Sequence, residues 1–114
     1  MDTITVTFSQ AVADEAIYKC EISASEPDHW DGKPYDSADG FDELAGRIAA
    51  GGAITLTIDE ALYLSGELEN AADIMLSFAD QARRDGNTAD ATMSADESQA
   101  FNTAAMQLAI KAHG

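Results

Sequence analysis

The sequence predicts a small α+β fold, ordered β-β-α-β-α-α, with a three-stranded antiparallel sheet and about three helices packed on one of its faces. Three observations carry this reading. Residues 3–8 and 54–58 alternate polar and apolar side chains, as half-buried strands do. Residues 41–48, 64–82 and 101–112 repeat apolar side chains at three- and four-residue intervals, as amphipathic helices do. Between them, residues 25–40 hold both prolines, two glycines and no apolar periodicity, the marks of a long loop.

Taken in order, Ile4, Val6 and Phe8 alternate with Thr3, Thr5 and Thr7 in the first strand. A second strand is predicted over residues 17–24, where Tyr18, Cys20 and Ile22 share one face and Lys19, Glu21 and Ser23 the other. Residues 13–16 then form a hairpin connection, without the Asn-Gly or Asp-Gly pair of a tight turn. Phe41, Leu44, Ala45 and Ile48 mark the first helix, which Gly51-Gly52 stops. Ile54, Leu56 and Ile58 make the third strand. The long helix after it opens on Thr57-Ile58-Asp59-Glu60 as a capping box, or on Asp59 as a simple N-cap. Its stripe runs Leu64, Leu68, Ala71, Met75, Phe78, Ala79 and Ala82. Arg83, Arg84 and Gly86 close it, with both cations where the helix dipole favours them. Gly66 costs that helix about 1 kcal/mol relative to alanine. Ser94-Ala95-Asp96-Glu97 is a second capping box and starts the last helix, whose Phe101, Ala104, Ala105, Leu108 and Ala112 face inward. No repeat or linker divides the chain, so residues 1–114 are read as one domain.

Composition narrows the function. Twenty-one carboxylates against six Lys and Arg give a formal net charge of −15. A compact domain of this length is roughly 35 Å across. Fifteen charges correspond to about 25 Å of duplex DNA, so the chain carries roughly the charge of a DNA segment its own size. Self-repulsion of that order opposes compaction, yet the periodic apolar segments argue for a folded protein. No apolar run approaches the ~18 residues of a membrane span. Met1-Asp2-Thr3 lacks the basic region of a secretory signal, and a lone cysteine, Cys20, fits a reducing cytoplasm. Nucleic acid and anionic membranes are repelled by such a surface; basic proteins and cations are its natural partners.

Catalytic chemistry finds little support. His29 and His113 have no second histidine or cysteine at ligand spacing, so zinc is not expected. Cys20 has apolar neighbours and reads as a small buried hydrophobe. There is no nucleophile elbow and no glycine-rich phosphate loop. Paired carboxylates carry almost no information in a chain this acidic. Calcium would need alternating oxygen ligands, which Asp36-Ser37-Ala38-Asp39-Gly40 does not supply. The chain is therefore read as a non-enzymatic binding protein without cofactor or metal.

Charge distribution points to a surface. Residues 26–46 carry −6, two fifths of the net charge in under a fifth of the chain. Asp28, Asp31, Asp36 and Asp39 lie in the loop, with Asp42 and Glu43 in the helical turn after it. Glu69, Asp73 and Asp80 project from one side of the long helix, within about 40° of each other at ~100° per residue. Alone they are sparser than the phosphates of a DNA strand; joined with the loop acids they extend to a charged flank. Trp30 and Tyr35 sit among those acids. They read either as anchors of a long loop or as contact residues ringed by charge, a role Trp and Tyr often take.

Small size, strong acidity, a single cysteine and an α+β pattern without catalytic motifs resemble the phage-encoded inhibitors of bacterial defence. These include anti-CRISPR and anti-restriction proteins, several of which mimic DNA. The resemblance covers the whole chain in composition and rests on no diagnostic motif. It implies an acidic protein of the bacterial cytoplasm whose carboxylates occupy a basic channel meant for DNA. In a type I CRISPR system that channel lies on the surveillance complex or on its recruited nuclease. A homodimer is compatible with the sequence. Two other readings compete: an immunity protein or antitoxin that neutralises a basic partner, and a halophile-adapted domain of unrelated role. The halophile reading expects acids spread over every face.

Overall fold

Ser65, Ala72 and Ala79 recur at every seventh residue, and so do Ala91, Ser98 and Ala105. In the computed structural model, which describes residues 2–114, these six small side chains are all buried along the seam between two long antiparallel helices, α3 (Ile58–Arg84) and α4 (Thr88–His113). The hydroxyl of Ser65 donates to the Ala105 carbonyl and that of Ser98 to the Ala72 carbonyl, each at 2.8 Å. One heptad further, the same register sets Ala79 opposite Ala91. A serine hydroxyl reaches a carbonyl of the facing helix only where the two backbones approach closely, and only small residues permit that approach. Leu64, Leu68, Phe101 and Leu108 flank the seam and are buried with it.

The ends of both helices follow from local chemistry. Thr57 accepts from the Glu60 amide at 3.1 Å while the Glu60 carboxylate accepts from the Thr57 amide at 2.9 Å, so the capping box at the start of α3 is made. At its far end Gly86 takes a φ of 77°. The Gly86 and Asn87 amides donate back to the Arg83 and Ala82 carbonyls, a Schellman closure. Asn87 immediately caps α4 by accepting from the Asp90 amide.

The other elements form a head around the base of this hairpin. They are β1 (Thr3–Thr7), α1 (Gln10–Ala24), a 3₁₀ turn (Pro27–His29), α2 (Ala38–Ala49) and β2 (Ala53–Thr57). The strands pair antiparallel, with Thr5 opposite Thr55. Val6, Ile54 and Leu56 are buried while Thr3, Thr5, Thr7 and Thr55 face solvent, the alternation expected of a sheet covered on one side. The carbonyls of Thr5 and Thr55 are taken by the side chains of Lys111 and Arg47 at 3.0 and 3.1 Å, which blunts both edges. Phe41, Leu44 and Ile48 of α2 complete the core with Val12, Ala16 and Cys20 of α1.

Four of the sequence expectations are corrected. The fold is α+β, but its sheet has two strands and it has four α-helices, in the order β-α-α-β-α-α rather than β-β-α-β-α-α. The expected strand over 17–24 and its hairpin at 13–16 are both part of α1. Val12, Ala16, Cys20 and Ser23 are buried at helical spacing, whereas Tyr18 is 55% exposed. The polar–apolar alternation of Tyr18, Cys20 and Ile22 is a short coincidence inside a longer 3.6-residue period. The last helix begins at Thr88, so Ser94 lies within α4 and caps nothing. Phe78 leaves the expected stripe and is 55% exposed. The distal hairpin has only two helices, and its seam of small residues is too narrow to cover a ring to the side.

The hairpin also lengthens the molecule to 49 × 31 × 25 Å, longer than a compact domain of this size. Replacing Ala72→Leu is expected to wedge α3 from α4 and cost about 1–3 kcal/mol in urea denaturation. Ser98→Ala removes one hydrogen bond and is expected to cost about 1 kcal/mol. An unaltered midpoint for Ala72→Leu would refute the close seam.

Candidate interaction surface

The acidic loop is held by its aromatic residues. Trp30 packs on Phe41 with ring centres 6.1 Å apart and donates its indole N–H to the Ser23 carbonyl at 2.6 Å. Tyr35 meets Phe41 edge-on at 5.1 Å, and Tyr63 of α3 closes the group at 5.6 Å from the same ring. Both loop aromatics are half-buried. Gly40 is required here, because a Cβ at that position would stand 2.6 Å from the Tyr35 ring.

A charged junction fixes the loop to the start of α3. The Glu60 carboxylate is 7% exposed and receives hydrogen bonds from the Arg47 guanidinium, the Tyr35 hydroxyl and the Thr57 amide. Burial alone would raise its pKa, but the three donors outweigh burial and hold the carboxyl below its ordinary range. Tyr35 is pushed up, first by burial and then by donating to Glu60. Arg47 thereby links α2, the β2 edge, the loop and α3.

This anchoring decides where the acids go. Gly32, Lys33 and Pro34 face Asp59, Leu62 and Tyr63 across a cleft at the base of α3. Leu62 is on the same side of that helix as Glu69, Asp73 and Asp80, within about 40° at ~100° per residue. Asp31 and Asp36, which bracket that loop segment, are therefore set near the foot of the helical line, and all are exposed. Asp28 is exposed on the 3₁₀ turn. Asp39, Asp42 and Glu43 occupy the solvent side of α2, opposite Phe41, Leu44 and Ile48, and Glu43 comes within 4.0 Å of Arg47. Asp80 pairs with Arg83 at 2.7 Å and lies near Arg84, so the free acidic line ends at Asp73.

Two further residues belong to this flank. Leu62 and Leu76 are 37% and 49% exposed between the acids. Their signal in the sequence is that they fall outside the apolar stripe of α3. The opposite character appears elsewhere: residues 98–114 contain no Asp or Glu.

Cys20 is buried in α1, and its thiol is pushed up to about 12, mainly by burial and then by Glu67 and Glu21. Among the described residues no group of three or more His, Cys, Asp or Glu side chains is placed to hold a metal ion, and no helix is long and apolar enough to cross a membrane. No protein-family model, curated protein or solved structure matches the chain.

Because folding lowers the Glu60 pKa, the stabilisation is present above the ordinary carboxylate range and is lost as pH falls through it. Glu60→Gln is therefore expected to cost about 1.5–3 kcal/mol at neutral pH. That deficit should shrink as the pH drops below the unperturbed value of 4.5. A deficit independent of pH in parallel denaturation curves would refute the ionised junction. Gly40→Ala is expected to expel Tyr35 and free the loop, read as a red shift of the lone tryptophan's fluorescence.

Proposed function

We propose that this chain is an acidic, non-enzymatic inhibitor that covers the nucleic-acid-binding surface of a basic protein in a bacterial defence complex. The reading is supported most by one juxtaposition: the loop carrying Asp31 and Asp36 shares a cleft with Leu62, on the side of α3 that presents Glu69 and Asp73. From Leu62 to Asp73 the helix rises about 16 Å, and the loop extends the flank past its foot. Leu62 and Leu76 add apolar contact, which gives a protein partner a grip that charge alone lacks. The halophile reading fits less well, since it offers no reason for an acid-free stretch over residues 98–114. On compositional resemblance, a CRISPR effector is the proposed target, bound in the manner of a DNA-mimicking anti-CRISPR protein.

The test uses a purified type I surveillance complex, and separately its recruited nuclease, each holding labelled duplex DNA. The protein is expected to displace the DNA. Its affinity should fall more than tenfold between roughly 50 and 200 mM salt, as steered charge pairing requires. The triple variant Asp31→Lys, Asp36→Lys, Asp73→Lys should lose about 100-fold in affinity, since each reversal turns attraction into repulsion. Its thermal melt should not fall, because all three side chains are exposed and the reversals relieve self-repulsion. Binding that leaves the DNA in place would favour an immunity-type inhibitor shaped to a different site. Failure to bind either component would remove the proposed target.

A further inference from the structure

The longest stretch without carboxylates, residues 98–114, is also unusually apolar where it meets solvent. On the C-terminal half of α4, Met106 is 55% exposed and Ile110 is 65% exposed, the highest value among the large apolar side chains described. They continue the series Gln99, Thr103, Met106 and Ile110, whose 4-3-4 spacing confines all four to about 60° of the helix surface. That is the spacing by which one helix lies along another, and it is turned away from the buried Phe101, Ala105 and Leu108. Beside this ridge runs a groove of about 530 Å³, lined by Ala100, Ala104 and Leu108 on α4 and by Val6, Phe8 and Val12 across from it.

We infer that ridge and groove are the two halves of a twofold interface, through which two copies of the chain pair by antiparallel α4 helices. With the axis at Thr103, Met106 of one copy comes opposite position 100 of the other. Met106 then meets the small residues of its neighbour's groove while Ile110 reaches the Asp96 end of it, and the contact is self-complementary as twofold symmetry demands. The same arrangement brings Lys111 of one copy level with residues 95–96 of the other. Lys111 and Asp96 lie at opposite ends of the groove, so an antiparallel pair joins unlike charges at both ends, whereas a parallel pair would align like with like.

Charge also selects the occupant. A chain of −15 meets itself with repulsion across its acidic faces, screened only over about 8–10 Å in physiological salt. Over residues 98–108, the span the two helices share about that axis, no carboxylate opposes the approach, and the Asp96 at each end lies beside Lys111 of the other copy. A basic partner would instead be drawn to the loop and α3 flank. About 22 Å of helix per copy, with the groove beside it, places the contact near the lower end of specific interfaces, roughly 1,000 Å² in total.

Sedimentation across a salt series tests this independently of the proposed target. A dimer is expected at tens of micromolar, about the strength of the smaller specific interfaces. Added salt should tighten it by screening the remaining repulsion, the opposite of its effect on binding through the acidic flank. Met106→Glu with Ile110→Glu should give a monomer whose melt matches that of the wild type at concentrations too low for pairing, since both side chains are exposed in the single chain. Under mild oxidation by glutathione disulfide, Thr103→Cys on the axis should link copy to copy, and Asp73→Cys should not; the buried Cys20 stays out of the reaction. A wild-type monomer throughout the series overturns the inference. So does a dimer that salt dissolves, one that survives the double substitution, or a Thr103→Cys variant that links no faster than Asp73→Cys.

Discussion

The close approach of α3 and α4 is the constraint on which the remaining architecture rests. Two serine hydroxyls cross the gap to carbonyls of the facing helix, and four alanines keep it narrow. A hydroxyl so placed satisfies its hydrogen-bonding need without separating the backbones, whereas a leucine would hold them apart. Because the repeat is seven residues long, the contact drifts only about 20° per heptad and stays on one face for the length of the hairpin. Everything else in the molecule is built at the base of this pair. The sheet, α1 and α2 cover Leu64, Leu68, Phe101 and Leu108 there, while the distal half projects with only its own seam to sustain it.

Charge is arranged around that frame with few concessions to burial. Of the 21 carboxylates, Glu60 alone is buried, and it has a guanidinium, a hydroxyl and a backbone amide to receive. That junction stabilises the fold and also positions the surface. Arg47 and Tyr35 reach Glu60 from α2 and from the loop, so the acidic segment cannot leave the base of α3 without exposing an ion pair and an aromatic cluster. Like charges repel within the flank, and the energy that holds them together comes from Trp30, Tyr35 and Phe41 beneath it. Trp30 and Tyr35 thus serve as anchors among acids that remain exposed. The C-terminal half of α4, without Asp or Glu over residues 98–114, leaves apolar side chains where repulsion is least.

How much of this was legible depends on the range of the forces involved. The Gly86 stop, the helix carrying Phe41, Leu44 and Ile48, and the two strands expected over 3–8 and 54–58 follow from interactions within a few residues, and the sequence alone determined them to within a residue; it offered the capping box of Thr57 and Glu60 beside Asp59 as a simple cap, and the structure makes the box and moves Ile58 into α3. So did the total charge and its concentration around residues 26–46. The exposed acids of the candidate surface were legible as residues, because a solvated carboxylate needs no partner to be placed. The state of residues 17–24 was not legible: Tyr18, Cys20 and Ile22 suit a strand as well as a helix. Only the contacts of Val12, Ala16 and Cys20 with the core settle the period. Phe78 looked like a core residue until the width of the seam excluded it. The tertiary structure alone decided that the loop rests beside Leu62, that Asp80 is offset by Arg83, and that the acid-free ridge of α4 adjoins a groove. Each depends on segments far apart in the chain meeting at short range, where burial and pairing are worth more than any local preference.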